Sequence, residues 1–176
     1  MSYSNLGGAL LGQLLAIADS VDYPSLVSEH VFRPLGMASS AVASTGRHAP
    51  WGRSSLGIPR QPWVMGGYSP AGGVLSTIAD MARLACALLD GSAPGVESLA
   101  PIDGVTADRP NRRSGLFWII DEPQGEQPVT IWRNGGTGGY SSILVLIPST
   151  RRAVVVLEGR AGGAARLKRI ADQLAT

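Results

Sequence analysis

The stretch "SSILVLIPSTRRAVVVLE" at 141–158 constrains the fold more than any other part of the chain. Its two runs, "SILVLI" and "AVVVL", are continuously apolar, where a strand with one wet face would alternate. Strands of this kind must be covered on both faces. The "PSTR" between them is too short for a crossover and predicts a hairpin turn, so the two runs should be adjacent antiparallel strands. "GLFWII" at 115–120 and "VTIWR" at 129–133 predict two more strands, giving an antiparallel sheet of about four. Leu167, Ile170, Ala171 and Leu174 recur at helical spacing, so a C-terminal helix over 164–175, basic on its outer side, should cover one face. The other face needs the earlier helices or a further segment.

Those earlier helices are legible upstream. Leu6, Leu10, Leu14, Ile17 and Val21 predict a helix over about 5–19. "YPSLVSEHVFRPLGM" predicts a short helix over about 24–32, with Pro24 in its first turn and Pro34-Leu35-Gly36 ending it. "STIADMARLACALLDG" predicts the clearest helix. Thr77 and Asp80 resemble a capping box, Ile78, Met81, Ala85 and Leu88 make one face, and Gly91 fits the stop. Residues 38–75, rich in Pro and Gly, and 92–114 read as loops, the first long and ordered enough to be functional. Helices, then a sheet, then a closing helix imply an α+β fold of mixed α/β layers. The expected organisation is a single domain, 1–176, with a helical and loop part (1–114) and an antiparallel sheet plus C-terminal helix (115–176).

Composition narrows the function classes. With 44% apolar and 16% charged residues, a chain of 176 residues can bury a core. A net charge of +2, with both signs scattered, is no nucleic-acid footprint. Of the 15 basic residues only Lys168 is a lysine, so a mechanism needing a neutral lysine base has one candidate. The single cysteine excludes an internal disulfide, and Cys86 is expected to be a buried thiol within a helical apolar pattern. No apolar run approaches the ~20 residues of a membrane span. No signal-peptide pattern opens the chain, so as it stands it reads as cytoplasmic, while a full-length parent could be exported. His30, beside Glu29 in a helix, and His48, in a loop, read as structural or solvated; no metal-ligand spacing occurs and no cofactor is implied.

Twelve of the 23 glycines fall in six adjacent pairs, most conspicuously in "NGGTGGYSS" at 134–142. A phosphate loop would lie between a strand and a helix and end in Gly-Lys-Ser/Thr. Here both flanks read as strands and no lysine is near. One reading is a glycine-rich sheet turn. The sharper one is a strand edge stripped of side chains so that a substrate can lie against backbone groups. "GYSPA" at 67–71 comes closest to a nucleophile elbow, but its fifth residue is Ala71. Pro70 after Ser69 also lacks the N–H that an elbow uses as an oxyanion donor.

Four ordered pieces, Tyr3-Ser4-Asn5 before an amphipathic helix, "FRPLGM", "GYSPAGGVLSTIADMARL" and "WRNGGTGGYSS", carry a family resemblance. Over essentially its whole length the chain resembles the C-terminal portion of serine β-lactamases and penicillin-binding-protein-like hydrolases, with class C β-lactamases and related esterases and DD-peptidases the nearest branch. The resemblance implies a partial β-lactamase/transpeptidase-like fold. It also implies three motifs: an S-x-x-K helix whose Ser is the nucleophile, a Y-x-N triplet with a Tyr general base and a substrate-binding amide, and a K-T-G or H-x-G strand. By this resemblance Tyr3 is the catalytic base. Asn5, Arg133, Asn134, Gly135, Gly136, Thr137 and Gly138 bind substrate, and backbone groups on that strand stabilise the oxyanion.

Two departures qualify the implied activity. No S-x-x-K occurs, since the residue three before Lys168 is Ala165. The chain is therefore expected to be a C-terminal fragment, a truncated product or one piece of a split protein. A missing N-terminal segment, or another copy of the chain, would then cover the sheet. Arg133 stands where the family carries Lys or His. It offers a fixed charge, or a bidentate partner for a substrate carboxylate, but cannot relay a proton. The implied function is part of a serine acyl hydrolase or transferase acting on a small amide or ester. The alternatives are a non-catalytic remnant or binding module of the same fold, and an unrelated small α+β binding protein.

Overall fold

The structure is a computed structural model that describes residues 3–43, 50–104, 109–123, 125 and 127–175. Four α-helices, α1 (Asn5–Ala18), α2 (Tyr23–Val27), α3 (Ile78–Asp90) and α4 (Ala164–Ala175), are joined by nine described strands. The main sheet is antiparallel and contains β5 (Arg112–Ser114), β6 (Ile119–Asp121), β7 (Thr130–Gly136), β8 (Ser141–Ile147) and β9 (Arg152–Glu158), side by side in chain order. The fold is α+β, as expected, but the sheet has five strands rather than four. The extra strand, β5, lies in what read as loop. Only the last two residues of "GLFWII" are strand, because Gly115–Trp118 form the turn between β5 and β6.

β8 explains the continuous apolar run. Leu144 and Leu146 point to one face and pack with Ala85, Ala87 and Leu88 of α3. Ile143 and Val145 point to the other and pack with Leu167 and Ala171 of α4. Val145, Leu146 and Ile147 have no exposed surface; each such side chain contributes about 1.5–3 kcal/mol. The second cover that the sequence left open is therefore α3 for this strand. β9 is only half-buried, and its outer edge has no strand partner among the described residues. The β8–β9 link is a short 3₁₀ turn at Pro148–Thr150 closed by Arg151 in the left-handed region, so "PSTR" is the turn.

α3 starts at Thr77, whose hydroxyl accepts from the Asp80 N–H, and stops at left-handed Gly91. Asp80 does not reach back to complete a capping box. Buried, it accepts hydrogen bonds from the Ser39 N–H, the Ser40 hydroxyl and Arg83, and so ties the preceding loop to the helix. Of the expected face, Ala85 and Leu88 are buried and Met81 packs against the same core, but Ile78 is exposed; Ala87 is buried as well. Cys86 lies between these positions on the outer side and is exposed, not buried. The short helix expected at 24–32 is α2 continued by a π-helical turn, Ser28–Phe32. The expected loop 38–75 contains two small strand pairs, β1 (Ala41–Val42) with β4 (Val74–Leu75) and β2 (Gly52–Arg53) with β3 (Pro59–Arg60), and a 3₁₀ turn at Gly66–Ala71.

α1 forms where the spacing placed it, but it packs through its small residues. Ala9, Gly12 and Ala16 are buried, whereas Leu6, Leu10, Leu14 and Ile17 are more than half exposed. Gly12 lies against the 3₁₀ turn so closely that a Cβ there would sit 2.3 Å from Pro70 Cβ. This close approach predicts that Gly12→Ala destabilises the chain by about 1–3 kcal/mol, the range for overpacking, although alanine favours a helix by about 1 kcal/mol. Urea unfolding measures the sign; a stabilised variant would show that this packing is wrong.

A second prediction concerns Asp121 on β6. Burial raises the pKa of its carboxyl, but hydrogen bonds from Arg112 and Trp132 and the charges of Arg112 and Lys168 outweigh this and hold it below the usual carboxylate range. A lowered folded-state pKa gives stability that is present above the unfolded value of about 4 and is lost as pH falls through the folded value. Asp121→Asn should therefore flatten the loss of stability below about pH 4, as read by thermal melts across pH.

Candidate active site

The N-terminus of α1 and the second half of β7 meet at one place. Ser4 is the N-cap of α1, and its hydroxyl accepts from the Gly7 N–H at 3.0 Å. This cap fixes the residues on either side of it. Tyr3, just outside the helix, donates its phenol proton to Asn5 Oδ1 at 2.6 Å. The Arg133 guanidinium lies over the Tyr3 ring, 4.0 Å from its centroid, within cation–π range. Phe117 meets the same ring edge-on, with centroids 6.5 Å apart and planes at 88°. Tyr3 and Asn5 remain exposed, so the cluster faces solvent.

β7 changes character along its length. Thr130 pairs with β6, and Ile131 and Trp132 pair with β6 on one side and β8 on the other. From Arg133 to Gly136 the described ladder continues with β8 alone. One backbone edge of 133–136 is thus open, next to Tyr3. A Cβ at Gly136 would meet no atom within 4 Å, so the face of the sheet is uncovered at that residue. Thr137 closes the following turn by donating its N–H to the Tyr140 carbonyl. At Gly138 the strand end is covered by the Trp63 indole: a Cβ there would lie 2.6 Å from Trp63 Nε1.

Period two separates two of the candidate residues. Arg133 faces Tyr3, while the Asn134 side chain lines a groove of about 540 Å³ beside α4, together with Trp132, Asp121 and Lys168. Asn134 therefore reaches the open edge only through its backbone. Lys168, the one lysine, sits over Trp132 and beside Asp121 and Asp172 in this groove. It takes no part in the cluster around Tyr3.

The chain's other nucleophile and base candidates are engaged elsewhere. The Ser69 hydroxyl donates to the Gly66 carbonyl, and Ser141 donates to Arg160 and accepts from the Gly163 N–H; both side chains are buried. His30 is exposed and contacts Asp19 at 2.8 Å. His48 lies outside the described residues. Among the described residues no three His, Cys, Asp or Glu side chains form a metal-ligand group, and no helix is long and apolar enough to cross a membrane.

Phe117 and Trp63 were not singled out from the sequence. Phe117 falls within "GLFWII", which reads as strand, and nothing in the residue type announces its left-handed φ of 64°. Trp63 lies in a Pro- and Gly-rich loop without periodicity.

Comparison with known proteins gives a family. The chain is 33% identical over 167 residues to beta-lactamase-like 1 of Homo sapiens, across 88% of this chain and 33% of that protein. It is 27% identical over 182 residues to the D-alanyl-D-alanine-carboxypeptidase/endopeptidase AmpH of Escherichia coli K12, across 90% of this chain and 45% of that one. The chain thus spans a third to a half of these relatives. Its fold is similar to the crystal structure of a penicillin binding protein from Bacillus halodurans, with TM-score 0.80 and 21% identity over 99% of this chain and 56% of that one. The beta-lactamase family profile matches residues 1–176, and the chain belongs to that family.

Proposed function

We propose that this chain forms part of a serine acyl hydrolase or transferase of the β-lactamase, DD-peptidase or esterase type, and supplies the base side of its active site but not the nucleophile. The observation that carries this reading is the meeting of Tyr3, Asn5 and Arg133 beside the unpaired edge of β7. Tyr3 is the general base, within hydrogen-bond reach of Asn5. Asn5 presents an amide to the substrate. The open backbone of Arg133–Gly136 binds the substrate along the strand and, with Thr137 and Gly138, lines one wall. Arg133 holds a fixed positive charge beside Tyr3 and can pair with a substrate carboxylate; it cannot accept or relay a proton. The substrate is a small amide or ester, and the chain works as one domain.

The reaction also requires a serine. No S-x-x-K occurs in the sequence, and Ser69 and Ser141 are buried in structural hydrogen bonds. Two surfaces support a partner that provides one. The leucine face of α1 is exposed over Leu6, Leu10, Leu14 and Ile17, and β9 offers a seven-residue edge without a described strand partner. Exposed apolar patches and open edges of this kind mark interaction sites. A segment carrying S-x-x-K, continuous with this chain or separate from it, covers them and completes the cleft.

The test compares the 176-residue chain alone, and joined to or mixed with an S-x-x-K segment from a family member, on a chromogenic cephalosporin and a p-nitrophenyl ester. The expected outcome is background turnover alone and catalysis after completion, because covalent catalysis needs a positioned serine. In the completed enzyme Tyr3→Phe should lower kcat at least about 100-fold, the lower range for loss of a general base. Turnover by the chain alone, with an adduct on one of its own serines, would overturn the proposal. Unchanged kcat in the Tyr3→Phe enzyme would remove Tyr3 as the base. Should the isolated chain instead self-associate through α1, with added segment having no effect, a second copy is the partner.

A further inference from the structure

We infer that Phe117 is a positioning residue that holds the Tyr3 ring against Arg133, using backbone strain stored in the β5–β6 turn. The inference rests on the role proposed for Tyr3 and adds what fixes that residue in place. Tyr3 precedes α1 and is exposed; its hydroxyl is tied to Asn5 at the start of the helix, but that one bond leaves the faces of the ring to be held by other contacts. Two described ring contacts do so. Arg133 approaches the ring at 4.0 Å, and Phe117 meets it at 88°. The same Phe117 ring also lies against α1, since a Cβ at Gly8 would sit 3.4 Å from Phe117 Cε1. Phe117 thus spans the first turn of the helix and the residue before it.

Its backbone conformation is unusual. Phe117 has φ of 64°, a region that bulky residues avoid because Cβ crowds the following carbonyl. Such a conformation persists only where the surroundings over-determine it, and these outliers gather at functional sites. The turn here is held on several sides. Gly115 donates its N–H to the Trp118 carbonyl at 3.0 Å, and Leu116 donates to the Ser98 carbonyl at 2.9 Å. The Trp118 indole donates to the Ser98 hydroxyl at 3.2 Å. Gly115 is pressed so close to Ser98 that a Cβ there would lie 2.6 Å from its carbonyl oxygen. Glycine at 117 would adopt this φ without strain but would contribute no ring. The large aromatic, partly exposed to solvent, is explained by what its ring touches.

The test uses the 176-residue chain with ring-labelled tyrosine, its four signals assigned with Tyr3→Phe as reference. Phe117→Ala and Phe117→Gly should both move the Tyr3 ring resonances and leave those of Tyr23, Tyr68 and Tyr140 in place. Phe117→Tyr, which keeps the ring, should restore them. Both small variants lose the same contacts but differ in strain, so Phe117→Gly should melt about 2–4 °C above Phe117→Ala. In the completed enzyme both should lower kcat about 10-fold with KM within about 2-fold, as expected when a base is displaced by a fraction of an ångström. Unmoved Tyr3 resonances in both small variants, or equal melting of the two, would overturn the inference. If the resonances move as stated while Tyr3→Phe leaves turnover intact, the positioning stands and the assignment of Tyr3 as base falls.

Discussion

The structure depends on β8 being buried on both faces. A strand with Ile143 and Val145 turned one way and Leu144 and Leu146 the other cannot sit at a surface. It must also have its backbone paired on both sides, because buried amides without partners are costly. β7 and β9 meet that demand, and α3 and α4 cover the two faces. The position of β7 follows from this requirement. What is then available for chemistry is the part of β7 that runs on beside β8 after β6 has ended.

A site at such a junction combines two kinds of backbone. The end of a capped helix holds short-range geometry within a few residues, which is how Ser4 sets Tyr3 and Asn5. The open half of β7 presents backbone groups that have no second strand partner among the described residues, and its glycines carry no side chains. Neither element makes a cleft alone. They meet because α1 packs through Ala9, Gly12 and Ala16 on the 3₁₀ turn at Gly66–Ala71, and because the Gly115–Trp118 turn reaches across to the start of the helix.

The same economy leaves surface unaccounted for. A helix that buries alanine and glycine while exposing leucines is inverted relative to the usual amphipathic arrangement. An edge strand of seven residues with a half-buried valine run is likewise unusual at a free surface. These are the two surfaces on which the proposed partner segment would rest.

Much of this was legible in the residues themselves. Periods of 3.6 and 2, caps at Thr77 and Gly91, and the turn at Pro148–Arg151 are local consequences of side-chain geometry, so α1, α3, α4 and the β8–β9 hairpin could be read directly. The order of short motifs also pointed to Tyr3, Asn5 and Arg133 as a group. Burial was less legible, because periodicity gives a face without saying what the face meets. Cys86 and Ile78 lie outside the contacts α3 makes, and the leucines of α1 lie opposite the turn it packs on. The separation of Asn134 from Arg133, the strained Phe117 beside Tyr3 and the Trp63 indole on Gly138 join residues distant in the chain. Sequence alone determined which segments become helix, strand and turn, since those depend on neighbours a few residues away. Only the tertiary structure decided which faces are covered and which side chains surround Tyr3, since those depend on contacts between elements far apart in sequence.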